Sequence, residues 1–554
     1  MTKLTLRECP CALPIFAVLI FAVLICASLI GSMASSISAE TKDKLDVGIA
    51  AAAGKTPVFV RMSDQLLGGA MGYAAFCEKN AKRDRRELRK EVLKTLQDKA
   101  KSSWAKVAET VKKLQSDGSI SQLQQYWIVN GFACRADAAA CKSLAKLAEV
   151  SFVYRQRMPQ AAPLHKRRVR AVPPRIEQNW KNVYQQVIKD WKDDSKDPLV
   201  LDGCQIPWNV KRIKADQAWT KEGATGKGVV VALCDSGLMV TPSLVQALWR
   251  NPKEKLNGKD DDNNGFVDDL FGFDFNRNHW YALGDGPRIT HGSMCGGIVA
   301  GRSLNKKKLL TGIAPRARLM MLRGMGFLRQ LEYAADHGAD VVSMSYMWVG
   351  RQLGHYRGLY RLAHEHLTVA GVVSVGGAGN FGPGARRRRQ PRGRQIALPK
   401  DIPCVIAASG ILKNGKLAPA SSEGPCFWNS VKFYNDFGKK KPLNKPDVTA
   451  CFGGYPVWGR PMLARRIQSW RVVTQESQAI GLVIGPQGNS FSGPHAAGVA
   501  ALMFSANPAL NAWELKTLMQ KGCTDLGEKG HDTKFGAGLL NALKAVQLAK
   551  KRGG

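Results

Sequence analysis

The chain has 554 residues, 45% of them hydrophobic and 23% charged, which is long enough for two or more domains and a large buried core. Its 81 Lys and Arg against 44 Asp and Glu give a formal net charge of +37. The basic residues are spread over the whole chain without a recognisable RNA- or DNA-binding motif, so the excess reads as a solvated basic surface and not as a nucleic-acid interface.

Taken in chain order, residues 1–39 carry Lys3 and Arg7, an apolar stretch from Ile15 to Ile30, and then Gly31, Ser32, Ala34, Ser36 and Ala39. This is the pattern of a secretory signal and predicts a secreted or extracytoplasmic protein. The apolar stretch falls short of the roughly 20 residues that a spanning helix needs, with an uncleaved anchor as the alternative. No later segment is apolar enough to span, so no membrane domain is expected beyond this signal. Residues 40–158 predict a small α+β domain. Its strands are read at Pro57–Met62, Tyr126–Ala133 and Val150–Tyr154, with a charged helix from about Arg83 to Leu114 and a shorter one from Asp137 to Ala148. Residues 159–204, rich in Pro, Lys, Arg and Asp and containing His165-Lys166-Arg167-Arg168-Val169-Arg170, read as an exposed linker and processing region. Residues 205–554 form the remaining domain. Ten of the 13 cysteines lie beyond the signal and show no Cys-x-x-Cys pair; their disulfide pairing cannot be read from the sequence.

Four segments of the last domain carry chemistry. Gly228–Gly237 is an apolar run that ends in Asp235, as a strand buried on both faces would deliver an acid to its carboxyl end. Thr290-His291-Gly292-Ser293 opens a glycine-rich helical stretch, and Val372–Val375 leads into the turn Gly376-Gly377-Ala378-Gly379-Asn380. Gly488-Asn489-Ser490-Phe491-Ser492-Gly493-Pro494-His495 sets a serine at a helix start, where unpaired N–H groups and the dipole favour an attacking alkoxide. An ordinary capping serine is the other reading of that segment alone. Pro494 is expected in the first turn, where a missing N–H is harmless. Between these segments, Asp260, Asp262, Asn264 and the Phe266 carbonyl, with Asp268 or Asp269, place hard oxygens at alternate positions around a turn glycine and predict a structural Ca²⁺ site.

Together, Asp235-Ser236-Gly237, His291-Gly292-Ser293, Gly379-Asn380 and Gly488 to His495 resemble the motifs of subtilisin-like serine proteases, nearest to the bacillopeptidase F-like branch, over about residues 205–548. The resemblance implies a three-layer α/β fold with a mainly parallel sheet, preceded by a propeptide domain that inhibits its own enzyme. It also implies polypeptide substrates and a triad of Asp235, His291 and Ser490, with Asn380 stabilising the oxyanion. A catalytically silent scaffold used for binding is the rival function. Departures are Met294 where the family has histidine and Asn489 where it has threonine; the Asn489 amide could replace the threonine as an oxyanion donor. Met347, in place of the glycine of the substrate-pairing strand, is expected at the mouth of the pocket for the residue preceding the scissile bond. Gly376-Gly377-Ala378 would offer compensating space on the opposite wall. The run from Arg386 to Arg394 reads as a basic loop bordering the cleft.

Overall fold

The computed structural model describes residues 43–157, 174–194, 197–238, 241–283, 290–303, 309–385, 396–458 and 482–552; the signal segment and the Arg386–Arg394 run lie outside the described residues. The N-terminal domain is a four-stranded antiparallel sheet of β1 (Thr56–Met62), β2 (Ile120–Tyr126), β3 (Gly131–Ala136) and β4 (Val150–Arg155), ordered β2-β3-β1-β4. Helices α1 (Ala70–Lys79), α2 (Arg85–Ser116) and α3 (Ala138–Ala145) accompany it. Asp84 caps α2 by accepting the Arg86 N–H at 2.7 Å, and Asp137 caps α3 through Ala140. The single strand expected over Tyr126–Ala133 is a hairpin instead. Asn130 takes a left-handed φ of 35° ahead of Gly131, and the Trp127 and Ile128 N–H groups turn outward to Glu332.

The larger domain is built on seven parallel strands: β5 (Val230–Asp235), β6 (Gly272–Asp274), β7 (Arg318–Arg323), β8 (Val341–Met344), β9 (Val373–Gly377), β10 (Ile406–Ile411) and β11 (Val448–Cys451). Their order is β11-β10-β9-β8-β5-β7-β6. The β5 side chains alternate between two cores. Val231 and Leu233 join the helices α5 (Thr290–Ala300) and α8 (Asn489–Ala506), while Ala232 and Cys234 join α6 (Leu328–Asp336) and α7 (Tyr356–Val369). Burial on both faces explains why the strands read as unbroken apolar runs. The result is the three-layer α/β fold expected. Because β7 and β8 flank β5 on opposite sides, the carboxyl end of β5 opens onto the crevice where the strand order reverses, and Asp235 stands there.

One correction concerns residues 159–204. Their Pro- and Lys-rich composition suggests an exposed linker, yet α4 (Pro174–Asp190) buries Trp180, Tyr184 and Val187, spaced four and three residues apart as on one helix face. Trp180 stacks on Tyr281 at 4.5 Å, and the Tyr184 hydroxyl donates to the Trp280 carbonyl at 3.0 Å. Beyond the helix, Asp194 pairs with Arg302, Arg316 and Arg318.

The N-terminal sheet sends Val58 and Val60 toward α2 and α3, and Phe59, Tyr126, Phe152 and Tyr154 into the core around α6 and α7. Buried polar bonds fix this docking. Arg85 pairs with Asp340 at 2.7 Å, Glu332 accepts the Trp127 and Ile128 N–H groups at 2.6 and 3.1 Å, and His366 is fully buried between the domains. The His366 Nδ1–H donates to the Ile128 carbonyl at 2.5 Å while Nε2 accepts the Leu67 N–H at 3.3 Å. Burial, with Arg61 nearby, holds His366 down at about 4, so the neutral ring is the docked form. A folded-state value below the ordinary one of about 6.5 means stability present above pH 6.5 and lost as pH falls through 4. Melting temperature of the full chain should therefore drop between pH 6.5 and 4, and His366→Gln should flatten that slope; an unchanged slope contradicts the assignment.

Candidate active site

Asp235 and His291 come together at the end of β5. The imidazole Nδ1 lies 2.8 Å from Asp235 Oδ1 and 3.1 Å from Oδ2, and Oδ1 also accepts the Ser236 N–H at 2.7 Å. Such proximity needs Gly292, where a Cβ would sit 2.1 Å from the Gly237 carbonyl oxygen. Burial opposes both charges, but each partner's field outweighs it, so Asp235 is held below the ordinary carboxylate range and His291 is raised. The Asp235 bond also orients the ring, leaving Nε2 as its outer nitrogen. Cys295, one turn along α5, lies with Sγ 3.9 Å from Nδ1.

Ser490 is the second residue of α8, and the ring of the next residue, Phe491, stands 5.4 Å from the His291 ring. Pro494 is not in the first turn: α8 begins at Asn489, so its missing N–H leaves the Ser490 carbonyl without a helical donor. Ser345 Oγ donates to that carbonyl at 3.0 Å, and Cys295 Sγ lies 3.5 Å from it, which ties the Ser490 backbone to the chain leaving β8 and to the helix of His291. His495 is structural. It is fully buried, bonded to the Phe491 carbonyl and Asn209, and held near 4 by burial.

Asn380 follows the β9 turn. Its Oδ1 accepts the Asn489 N–H at 2.7 Å, which fixes the amide's orientation and directs Nδ2 away from that contact. Asn489 itself is not an oxyanion donor. Its Nδ2 donates to the Gly379 carbonyl at 2.7 Å and to Ser421 Oγ at 2.9 Å, and the residue is completely buried. The substrate wall departs from expectation as well. Met347 folds back, its Sδ accepting the Ala397 N–H at 3.2 Å. A Cβ on Gly376 would meet Lys400 Cε at 2.0 Å and one on Gly377 the Asn489 carbonyl oxygen at 1.8 Å, so the compensating space is already filled. Lys400 escaped the sequence reading because a lone Lys after Leu398-Pro399 carries no motif. Its buried amine donates to the Tyr346 carbonyl at 2.6 Å and is drawn down to about 7 by burial.

The acidic loop is only partly as expected. Asp260, Asp262 and Glu254 each bring a carboxylate oxygen within 4.8 Å of the others. Asp268 accepts the Asn257 and Gly258 N–H groups, and Asp269 is bonded by Tyr333, Asn251 and Asn264, so both serve the loop's own fold. The Phe266 ring packs against Phe273 and Tyr333. Glu254 lies upstream of the acidic run and was missed; its Oε1 accepts the Asp261 and Asp262 N–H groups, its Oε2 is buried without a partner, and burial raises the carboxyl to about 7.

The close seating of α8 on β9 yields a packing test. Gly377→Ala should cost about 1–3 kcal/mol in urea unfolding, because the Asn489 carbonyl must move. Gly438→Ala, where a Cβ meets open space, should stay within about 0.5 kcal/mol. Equal effects would mean that α8 yields freely.

Comparison with known proteins bears on the same residues. Residues 226–538, more than half of the chain, match the model of the Subtilase family, Peptidase_S8. Bacillopeptidase F of Bacillus subtilis is 23% identical over 504 residues, covering 83% of this chain and 29% of its own length. The calcium-dependent protease of Nostoc is 27% identical over 294 residues, 48% of this chain and 40% of the relative. Subtilisin DY of Bacillus licheniformis is 24% identical over 353 residues, 62% of this chain and 99% of the relative. The chain thus spans well under half the length of the first two relatives. With more than half of its residues matched by the family model, the chain belongs to the subtilase family.

Proposed function

We propose that this chain is a secreted serine endopeptidase, made as a zymogen that processes itself, in which Asp235, His291 and Ser490 form the triad. The observation that carries the reading is the Asp235–His291 bond at the crevice of the sheet, beside a helix start that presents Ser490. His291 Nε2 takes the Ser490 proton as Oγ attacks the scissile carbonyl, and returns it to the leaving amine; water then releases the acyl group by the reverse sequence. Asp235 keeps the imidazole in the required tautomer and offsets its charge. Asn380 Nδ2 and the Ser490 N–H stabilise the oxyanion. With Lys400 and Met347 filling the space behind the substrate wall, a small or slender apolar residue is preferred before the scissile bond.

The docked N-terminal domain acts as the propeptide. Processing falls before Pro174, so that α4 stays with the catalytic domain whose core it completes. The apolar N-terminal segment directs export, and similarity to the minor extracellular protease Epr of Bacillus subtilis supports that location. Calcium fits the cluster of Glu254, Asp260 and Asp262: the unpartnered buried Glu254 Oε2 is the kind of oxygen a hard cation satisfies, and the ion would brace the loop between Asn251 and Leu270. Relatives described as calcium-dependent proteases support this assignment.

Ser490→Ala should lower turnover by about 10⁶-fold and leave the N-terminal domain attached. Normal maturation of that variant in the absence of other proteases would rule out self-processing. Chelation should lower the melting temperature, and Glu254→Gln together with Asp262→Ala should abolish the response; identical melting curves in excess calcium and in chelator would remove calcium from the account.

A further inference from the structure

We infer that Asn489 is a positioning residue for catalysis, acting through Asn380 and not on the substrate; this rests on the reading of Asn380 as the oxyanion donor. Two bonds from Asn489 hold the Gly379–Asn380 turn, its N–H to Asn380 Oδ1 at 2.7 Å and its Nδ2 to the Gly379 carbonyl at 2.7 Å, and the same Nδ2 is anchored by donating to Ser421 Oγ at 2.9 Å. Its Oδ1 accepts Ser492 Oγ at 3.1 Å, so every polar atom of the side chain is engaged inside the protein. Ser421 Oγ in turn accepts the Gly410 N–H at 3.2 Å, and Gly410 must be glycine here, since a Cβ would lie 2.5 Å from Asn489 Oδ1. The residue before the nucleophile therefore clamps the turn that carries the oxyanion amide to the helix that carries Ser490. A buried amide with all its bonds satisfied has one low-energy placement, and it passes that placement to Asn380. An oxyanion donor acts only when it is held at the position the developing charge will occupy, so the clamp raises turnover without touching the substrate.

The inference predicts a kcat effect that depends on Asn380. In protein expressed as the full chain and then matured, with wild-type enzyme added where a variant does not process itself, and assayed with the best peptide anilide from a library, Asn489→Asp replaces Nδ2 with an acceptor and so removes the bond to the Gly379 carbonyl while keeping the shape. It should lower kcat about 100-fold and change KM less than threefold. Asn380→Ala should lower kcat by about 10²–10³-fold. In the Asn380→Ala background, Asn489→Asp should cost less than threefold more, because the donor it positions is gone. Ser421→Ala, which removes one bond of the clamp, should show the same dependence at smaller amplitude and serves if Asn489→Asp does not fold, as judged by its melting transition. Equal kcat losses for Asn489→Asp or Ser421→Ala with and without Asn380, or a loss confined to KM, would overturn the inference. If Asn380→Ala retains full kcat in an active wild-type background, the oxyanion reading itself fails and the inference falls with it.

Discussion

The site depends on how closely one helix can approach one strand end. At Gly377 the Asn489 carbonyl oxygen takes the place of a side chain, and at Gly493 the Gly377 nitrogen would lie 2.5 Å from a Cβ. Two glycines facing each other let α8 drive its first turn into the end of β9, and that seating brings Ser490, Asn380 and the Ser345 hydroxyl into one place. Any added carbon would move the helix by a large fraction of an ångström, and catalytic geometry tolerates little such displacement. Pro494 belongs to the same arrangement, since by withholding a helical donor it leaves the Ser490 carbonyl for Ser345.

The opposite side of the sheet carries the N-terminal domain, and its contact is more than apolar. Phe59, Tyr126, Phe152 and Tyr154 share a core with α6 and α7, so the interface continues the interior of the larger domain. Arg85, Glu332 and His366 then set its register through bonds to backbone and to Asp340. A buried charge or hydrogen-bonding group left without its partner is costly, so these groups favour the one docked arrangement over sliding alternatives.

How much of this could be read beforehand follows from the range of each signal. Apolar runs ending in Asp235 and in the turn before Asn380 were legible because a strand buried on both faces imprints itself on consecutive residues. The placement of His291 and Ser490 at helix starts was legible because neighbouring glycines mark where those helices begin. Helix α4 was hidden by its charged composition, although Trp180, Tyr184 and Val187 show helical spacing. Lys400 and the commitment of the Asn489 amide were not legible, since each takes its role from residues far away in sequence: Lys400 from Gly376 and Tyr346, Asn489 from Gly379 and Ser421; Glu254 is near Asp260 and Asp262 in sequence but stands outside their alternating pattern. The Tyr126–Ala133 strand failed for a related reason, because Glu332, more than two hundred residues away, competes for the N–H groups of its turn.

The central claim is that Asp235 and His291 make Ser490 the reactive nucleophile. Peptide mass spectrometry after treatment of the matured protein with a fluorophosphonate addresses it directly. The account predicts a single adduct on the peptide containing Ser490, formed at a much reduced rate in Asp235→Asn protein of the same fold. Labelling at another serine, or equally fast labelling in the Asp235→Asn variant, would contradict it.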